Sequence, residues 1–259
     1  MDNIAYPIAG FAVGAIVGLT GVGGGSLMTP VLVLGFGVPA VTAVGTDLLY
    51  AGITKAGGAA AHGLRGNVDW SIAGRLACGS LPGAGLALAA LAWWPAASKA
   101  SGAIVSTALG VMLVLTALAL ALRTPLAAWA RAQGERGVLA GHRQAVTVAT
   151  GFLIGVAVTL SSVGAGAVGV TALALLYPAL ATVRIVGTDI AHAIPIALVA
   201  GLGHAALGNV NWILLASLLA GSIPGIILGS HLATRLPERF VRHSLVAILL
   251  LVGGRLVLH

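Results

Sequence analysis

Two glycine-rich segments carry the first chemistry in this sequence. They are Gly21-Val22-Gly23-Gly24-Gly25-Ser26 and Ser161-Ser162-Val163-Gly164-Ala165-Gly166, and each lies near the middle of an apolar stretch. In lipid, such breaks persist only where protein or water satisfies the freed backbone groups. A half-helix that begins after each break would offer unpaired amides and the positive end of its dipole. With serine hydroxyls beside them, these amides predict a cradle for a small anion.

The predicted substrate contacts come from both segments and from a threonine that follows each of them. Carboxylate, sulfonate or sulfite groups would suit amide and hydroxyl donors, whereas a cation would prefer the carbonyl ends of the helices. The predicted contacts are Gly21, Gly23, Gly24, Gly25, Ser26, Thr46, Ser161, Ser162, Gly164, Gly166 and Thr188.

Two aspartates follow the breaks at equivalent places. Asp47 and Asp189 each come after Gly-Thr near the start of the next predicted helix. One interpretation is an N-terminal cap that satisfies free amides. The other is a proton or cation site, because ionisable groups inside membranes are expensive and usually functional. His192, one turn after Asp189, is either a proton relay or a hydrogen-bonded structural histidine. Asp47, Asp189 and His192 are therefore the candidate coupling residues.

Lys55 lies eight residues after Asp47 and has no counterpart in the second half, where Ala197 occupies its place. It would attract the anion, neutralise Asp47 or extend to the membrane surface. Isolated glycines such as Gly14 have a simpler interpretation, which is close packing between helices.

The sequence offers little for enzymatic, metal or nucleotide chemistry. No pair of histidines has the spacing of metal ligands, and Cys78 is the single cysteine. The phosphate-binding loop motif of nucleotide hydrolases does not occur. No serine–histidine or paired-aspartate arrangement at helical spacing stands out. The sequence therefore predicts a protein with no cofactor, no metal and no catalytic site.

Composition predicts a polytopic membrane protein. Of the 259 residues, 59% are hydrophobic and 7% are charged, against roughly 25% charged in soluble domains. The mean hydropathy is +1.07. The net charge of +7 comes from arginines scattered in loops and not from a basic run, so it does not indicate nucleic-acid binding. We expect a multi-pass protein of the cell (inner) membrane.

The chain contains an internal duplication. Val44-Gly45-Thr46-Asp47 matches Val186-Gly187-Thr188-Asp189, and Gly66-Asn67-Val68-Asp69-Trp70 matches Gly208-Asn209-Val210-Asn211-Trp212. Both pairs of motifs are separated by 142 residues (186 − 44 and 208 − 66). Chance similarity between apolar segments would not keep this register through Asp, Asn and Trp, so the duplication is real.

Each repeat is expected to hold a broken or re-entrant glycine-rich helix followed by three transmembrane helices, in an all-α fold. The arms of the first break, 7–20 and 26–35, would be about 21 and 15 Å long, too short to cross the ~30 Å hydrocarbon core. The predicted repeats are 4–122 and 146–258, joined by a cytoplasmic linker at 123–145. The second broken segment is expected at 146–177, and the predicted spans are 40–61, 71–93, 101–122, 183–203, 211–231 and 241–258.

The arginines favour a hairpin at each break. With the linker in the cytoplasm, hairpins also place the loops that carry Arg65, Arg75, Arg184 and Arg239 there, as the positive-inside rule requires. Full crossings would instead put Arg184 and the Arg239 loop outside. Hairpins give each half an odd number of crossings, so the two halves are predicted to be inverted, with both termini outside.

Together these motifs resemble the TauE/SafE family of membrane transporters. The resemblance rests on the opening segment (GFAVGAIVGLTGVGGGSLMTPVL), the following VGTD, the GNVDW turn and the GSLPG span, and it covers about residues 8–258. It implies transport of sulfite or an organosulfonate, which makes a small sulfur-containing anion the expected partner. The second copy departs from the pattern at Ser161-Ser162 and Ala165, so its ligand contacts cannot be copied from the first.

The leading prediction is a secondary transporter of such an anion, bound at the membrane midplane between the breaks, with proton coupling through Asp47 or Asp189 as an option. Two alternatives stay open. One is an anion channel whose filter is formed by the two breaks, and the other is a cation exchanger that uses the two aspartates. Lipid-facing stripes could equally form a homo-oligomer interface.

Overall fold

The computed structural model describes residues 4–20, 25–64, 66–93, 99–133, 140–232 and 238–258, and every regular element in these residues is a helix. This confirms the all-α prediction. The first half contains α1 (Ala5–Thr20), α2 (Gly25–Pro30), α3 (Ala40–Leu64), α4 (Trp70–Trp93) and α5 (Lys99–Gln133). The second half contains α6 (Arg143–Ser161), α7 (Ala167–Leu176), α8 (Thr182–Ala206), α9 (Trp212–Leu232) and α10 (Glu238–Leu258). A π-helical turn over Val31–Gly35 prolongs α2, and a 3-10 turn at Ala140–His142 precedes α6.

Five of the described helices are long and apolar enough to cross a membrane. They are α4, α6, α8, residues Gly102–Ala132 of α5 and residues Trp212–Gly229 of α9. Three shorter apolar helices, Ala5–Leu19, Ser26–Gly35 and Ala167–Leu176, flank the breaks. At about 1.5 Å per residue they measure about 22, 15 and 15 Å, less than the ~30 Å core. The second break therefore interrupts its apolar segment where the sequence predicts, whereas residues 21–24 of the first lie outside the described residues.

Several helix boundaries lie a turn or less outside the predicted ones, and two differences bear on the architecture. The second broken segment begins at Arg143 rather than 146, so its first arm, α6, has 19 residues and is long enough to span. The helix of the predicted span 101–122 continues to Gln133 and takes in the first part of the predicted linker. The reason is composition, because residues 123–133 are mostly Ala, Leu, Arg and Gln, which favour helix.

The glycines that the two repeats share bring helices of opposite halves into backbone contact. A Cβ atom on Gly14 of α1 would lie 2.6 Å from the Ser222 carbonyl oxygen of α9. The equivalent pair in the other half is Gly155 of α6 and Ser80 of α4, where a Cβ atom would overlap the carbonyl oxygen. Small residues allow this close approach of membrane helices. The packing interpretation of Gly14 is therefore confirmed.

The most extensive contacts between helices are related by exchange of the two halves. The most extensive are α1 with α9 and its counterpart α6 with α4, followed by α5 with α10 and α3 with α8. Exchanging the halves also turns the contact of α4 with α8 into that of α9 with α3, and the contact of α5 with α7 into that of α10 with α2. Helices α3 and α8 pack through buried side chains such as Val44, Leu48, Ile196 and Ala200. This central pair carries the two aspartates.

Candidate functional site

The second break is described in full and has a left-handed backbone at three residues. Ser162 ends α6 with φ 58°, and its amide donates to the Val158 carbonyl at 2.7 Å. Gly164 and Gly166 have φ 127° and 128°, a conformation that side chains with a Cβ atom rarely adopt. The repeated glycines are thus needed for the turn that joins α6 to α7, whether or not a ligand binds there.

The two serines of this break have different environments. The Ser161 hydroxyl donates to the Ala157 carbonyl at 2.7 Å, and its oxygen accepts from the Val163 amide at 3.1 Å. Ser161 therefore closes the turn. The Ser162 hydroxyl is buried and has no hydrogen-bond partner among the described residues, although it approaches the Asp47 carboxyl group. Of the two predicted contacts, only the Ser162 hydroxyl is left unused by the turn itself, and it faces Asp47.

The first break is described only in part. Gly21, Gly23 and Gly24 lie outside the described residues. Helix α2 begins at Gly25, and the following Ser26 is buried. The proposed contacts of this segment therefore remain predictions from the sequence.

Asp47 is fully buried and faces α2. Thr29 of that helix donates a hydrogen bond to its Oδ2 atom, whereas Oδ1 has no partner among the described residues. Asp47 is the eighth residue of α3, which begins at Ala40 directly after Pro39. The prediction that it caps the first turn of its own helix is wrong, because two helical turns precede it.

Asp189 occupies the equivalent place in α8 and faces α7. It is also the eighth residue of its helix and is only 1% exposed, so the same cap prediction is wrong here. Its carboxyl group lies at the Gly166 amide, and a Cβ atom on Gly169 would overlap its Oδ1 atom. That Oδ1 atom has no hydrogen-bond partner among the described residues. Each aspartate thus lies beside the first turns of the short helix of its own half.

Lys55 brings a positive charge to the same place. Its Nζ atom donates to the Ala165 carbonyl of the second break at 3.4 Å. Its charge acts on both Asp47 and Asp189. Neither carboxyl group lies within 4 Å of it, because the ion pair at that distance among the described residues joins Arg184 and Asp69. The side chain therefore turns inward, and the interpretation that it extends to the membrane surface is wrong.

His192 forms one of two equivalent contacts between the halves. A ring nitrogen, Nε2, lies 2.8 Å from the Ser80 hydroxyl, and the Tyr50 hydroxyl donates to the Ser222 hydroxyl at 2.7 Å in the other half. His192 is 1% exposed, and its Nδ1 has no partner among the described residues. The contact agrees with a structural histidine, whereas a role as proton relay stays a prediction.

Thr46 and Thr188 hold the turns of the opposite half. Thr46 Oγ1 accepts from the Asn211 amide at 3.1 Å, and Thr188 Oγ1 accepts from the Asp69 amide at 2.9 Å. Asn211 and Asp69 in turn accept bonds from amides three residues further on, at 3.0 and 3.2 Å, and so cap α9 and α4. These threonines position the aspartates next to them, and a substrate contact through their hydroxyls stays a prediction.

Comparison with known proteins identifies the class to which this arrangement belongs. The sequence pattern described as "Sulfite exporter TauE/SafE" matches residues 6–256. The chain belongs to the sulfite exporter TauE/SafE family. It is 38% identical over 255 residues to the "Probable membrane transporter protein YjnA" of Bacillus subtilis (strain 168), covering 98% of this chain and all of the relative. It is 28% identical to YdhB of the same organism, another probable membrane transporter protein, over 96% and 97% of the two chains. No solved structure shows significant similarity to it.

Membership of the TauE/SafE family confirms the resemblance stated from the motifs. The family and the names of these relatives indicate a multi-pass membrane transporter of a small anion and not an enzyme. In the described residues, no group of three His, Cys, Asp or Glu side chains could hold a metal ion.

Sequence reasoning missed two groups at this TauE/SafE site. Thr29, the partner of Asp47, lies 18 residues before it with no motif linking them, so nothing in the sequence indicated the contact. Ser80 and Ser222 did carry a signal, because both belong to the repeated Gly-Ser-x-Pro-Gly span. A polar residue that recurs within an apolar helix could have been assigned to a buried hydrogen bond.

Proposed function

We propose that this chain is a secondary transporter of sulfite or an organosulfonate, bound near the membrane midplane between the two breaks. One observation carries the proposal: Lys55 and both buried aspartates surround the second break. A break in a membrane helix that is lined by ionisable groups is typical of transporter binding sites. The choice of a sulfur anion as substrate rests on the description of the family as sulfite exporters.

The second break offers donors for an oxyanion. Helix α7 has ten residues and no side-chain cap at its start. Its Gly169 amide donates to the Gly164 carbonyl and the Gly166 amide faces Asp189, so the helix offers a ligand the Ala167 and Val168 amides and the positive end of its dipole. The Ser162 hydroxyl, without a partner among the described residues, adds a further donor. The Lys55 ammonium group adds the charge that makes such hydrogen bonds strong. We therefore expect the anion to lie between Lys55, Ser162 and the start of α7.

Proton coupling follows from the position of Asp189. Its carboxyl group lies at the Gly166 amide, where the anion would bind. Two like charges about 4 Å apart repel by about 4 kcal/mol at an effective dielectric constant of 20. A proton on Asp189 removes this repulsion, so the anion and a proton would bind together and be carried in the same direction.

The proposal includes the membrane topology. The two halves would be inverted, with hairpins at both breaks, the linker in the cytoplasm and both termini outside the inner membrane. The exchange-related contacts of the two halves and the arginine distribution support this arrangement. A homo-oligomer stays a prediction from the exposed apolar faces.

A cation exchanger is the second candidate, and a specific observation favours it. Asp47 Oδ1 and Asp189 Oδ1 are buried acceptors without hydrogen-bond partners among the described residues. Buried carboxyl oxygens without partners can bind a small cation, and they can equally bind the proton that accompanies an anion.

Counterflow in proteoliposomes tests the proposal. Sulfite, sulfoacetate, taurine and acetate are compared, with Lys55→Gln as the site variant. Arg255→Gln is its control, because Arg255 is a surface cation in the last turn of α10. We expect saturable exchange of a sulfur anion but not of acetate, lowered at least tenfold in Lys55→Gln and unchanged in the control. Flux that neither saturates nor shows counterflow would indicate a channel instead.

The coupling residue is tested in the same vesicles with Asp189→Asn. This variant should keep counterflow at equal pH on both sides, because exchange needs no net proton movement, and should lose uptake driven by a pH gradient. If no sulfur anion exchanges, but a proton or sodium flux is present and stops in Asp189→Asn, the cation exchanger replaces the anion transporter.

A further inference from the structure

A cavity of about 210 Å³ lies beside the site, between α5, α7, α8 and α10. Its walls include three arginines, Arg123 and Arg131 from α5 and Arg242 from α10. Arg123 and Arg131 are eight residues apart, so both lie on the helix face that borders the cavity. No acidic side chain lines the cavity in the part of the chain that the structure describes.

The three guanidinium groups are only partly occupied by protein acceptors. Arg242 donates through Nη1 to the Thr124 hydroxyl at 3.1 Å, and Arg131 donates through Nε to the Ala127 carbonyl at 3.2 Å. Each of these contacts uses one of the five donors of a guanidinium group. Three like charges around one small space repel each other unless an anion joins them. Among the side chains that the structure describes, no carboxylate in the lining offsets these charges, so the remaining donors point to an anionic ligand.

We infer that this cavity is a second anion-binding site, for a small oxyanion group of the sulfate, phosphate or sulfonate type. The planar fork of arginine matches the oxygen spacing of such groups and binds them through two parallel hydrogen bonds. A water takes about 30 Å³ of liquid volume, so the cavity holds a small oxyanion and several waters. The same chemistry is found in a free oxyanion and in the headgroup of an anionic phospholipid.

The cavity lies one helical turn from the proposed transport site. Val170 and Ile185 belong to its lining, and they are four residues from Gly166 and Asp189 respectively. Arg123 also acts electrostatically on Asp189. If the proposed function holds, an oxyanion in this cavity would be poised to enter the site from the side where α5 runs into the linker. Binding in the cavity does not itself depend on transport.

Calorimetry on the purified full chain in detergent tests the site, with sodium sulfate and sodium phosphate as probes. Sodium chloride keeps the ionic strength constant, so that general screening cannot imitate binding. We expect saturable sulfate binding, weakened roughly tenfold in Arg131→Gln and further in Arg131→Gln/Arg242→Gln, since each loses charge-assisted hydrogen bonds. Arg255→Gln, on the same helix as Arg242 but outside the cavity lining, is the matched control and should bind as the wild type does.

Two results would overturn the inference. One is that the delipidated wild type, with no phosphatidylglycerol retained, binds sulfate no more tightly than it binds chloride. The other is equal weakening in Arg131→Gln and Arg255→Gln. Phosphatidylglycerol that copurifies with the wild type but not with the double variant, measured by native mass spectrometry, would support the site and identify a lipid headgroup as its source of oxyanion.

A background variant separates this inference from the proposed transport. In Lys55→Gln the charge of the central site is removed, while the arginine cavity is unchanged. Sulfate binding that persists there and is lost on adding Arg131→Gln supports the cavity even if no counterflow of any sulfur anion is found. Sulfate binding that vanishes in Lys55→Gln alone would place the anion at the central site and overturn the inference.

Discussion

At the scale of single residues, the two buried carboxyl groups differ in one neighbour although their places in the two halves are equivalent. The two glycine segments are offset by 141 residues, as Gly23 and Gly164 show, one fewer than the later motifs. Thr29 donates to Asp47, whereas Val170 occupies the corresponding position of the second half (29 + 141 = 170). Asp189 lies instead at the Gly166 amide and against Gly169. The duplicated site is thus chemically asymmetric, and Lys55, without a counterpart, adds to the difference.

Replacing Thr29 by valine makes the first half resemble the second at this position. Thr29→Val should lower the free energy of unfolding by about 1–3 kcal/mol, because it leaves a buried carboxyl oxygen without its donor. The reverse change, Val170→Thr, is the matched control and should not destabilise the protein by this mechanism. Thermal unfolding of both variants in detergent measures the difference. Equal stability of Thr29→Val and the wild type would contradict the assigned hydrogen bond.

At the scale of elements, glycines determine how closely α4 and α6 approach. Gly83 of α4 faces the Phe152 carbonyl of α6, and a Cβ atom there would overlap that oxygen. A Cβ atom on Gly85, two residues further along the same helix, would have no neighbouring atom within 4 Å. The two glycines therefore lie on the same helix but differ in packing.

Alanine at these two positions separates packing from helix propensity. Gly83→Ala should destabilise the protein by about 1–3 kcal/mol, since the helices must move apart. Gly85→Ala should be neutral or stabilise it by up to about 1 kcal/mol, since alanine favours helix over glycine. The measurement is loss of the monodisperse peak in size-exclusion chromatography after heating. If both variants lost the monodisperse peak to the same extent, α4 and α6 would not be in backbone contact at Gly83.

The turn before α4 joins the halves through a cap and an ion pair. Asp69 caps α4 through Oδ1 and pairs with Arg184 through Oδ2 at 3.3 Å, where the two side chains are 26% and 43% exposed. Asp69→Asn reproduces the second half, which has Asn211, and should cost less than about 1 kcal/mol because the lost pair is solvent-screened. Asp69→Ala loses the cap as well and should cost about 0.5–2 kcal/mol more. Thermal unfolding in detergent measures both variants, and equal stability of Asp69→Asn and Asp69→Ala would contradict the cap.

At the scale of the whole molecule, hydropathy and repetition predict most of the architecture. The second break, the apolar spans and the family follow from these patterns, because burial in lipid and duplication both leave a signal along the chain. The start of α3 at Ala40 also agrees with the predicted span 40–61, and it is this start that places Asp47 two turns inside the helix and not at its cap. Contacts such as Lys55 with Ala165 depend on how the halves pack, which no local pattern encodes.

The sidedness of the chain distinguishes hairpins from full crossings. Three crossings in each half, as hairpins require, put the N-terminus and the linker on opposite sides of the membrane, whereas four crossings put them on the same side. In a Cys78→Ser background, Ile4→Cys and Gly141→Cys place a thiol at two exposed positions, before α1 and before α6. Ile4→Cys should react with a membrane-impermeant maleimide in cells whose inner membrane is intact, and Gly141→Cys only after that membrane is permeabilised. Labelling of both without permeabilisation, or of neither, would mean that the first broken segment crosses completely and that the halves are not inverted.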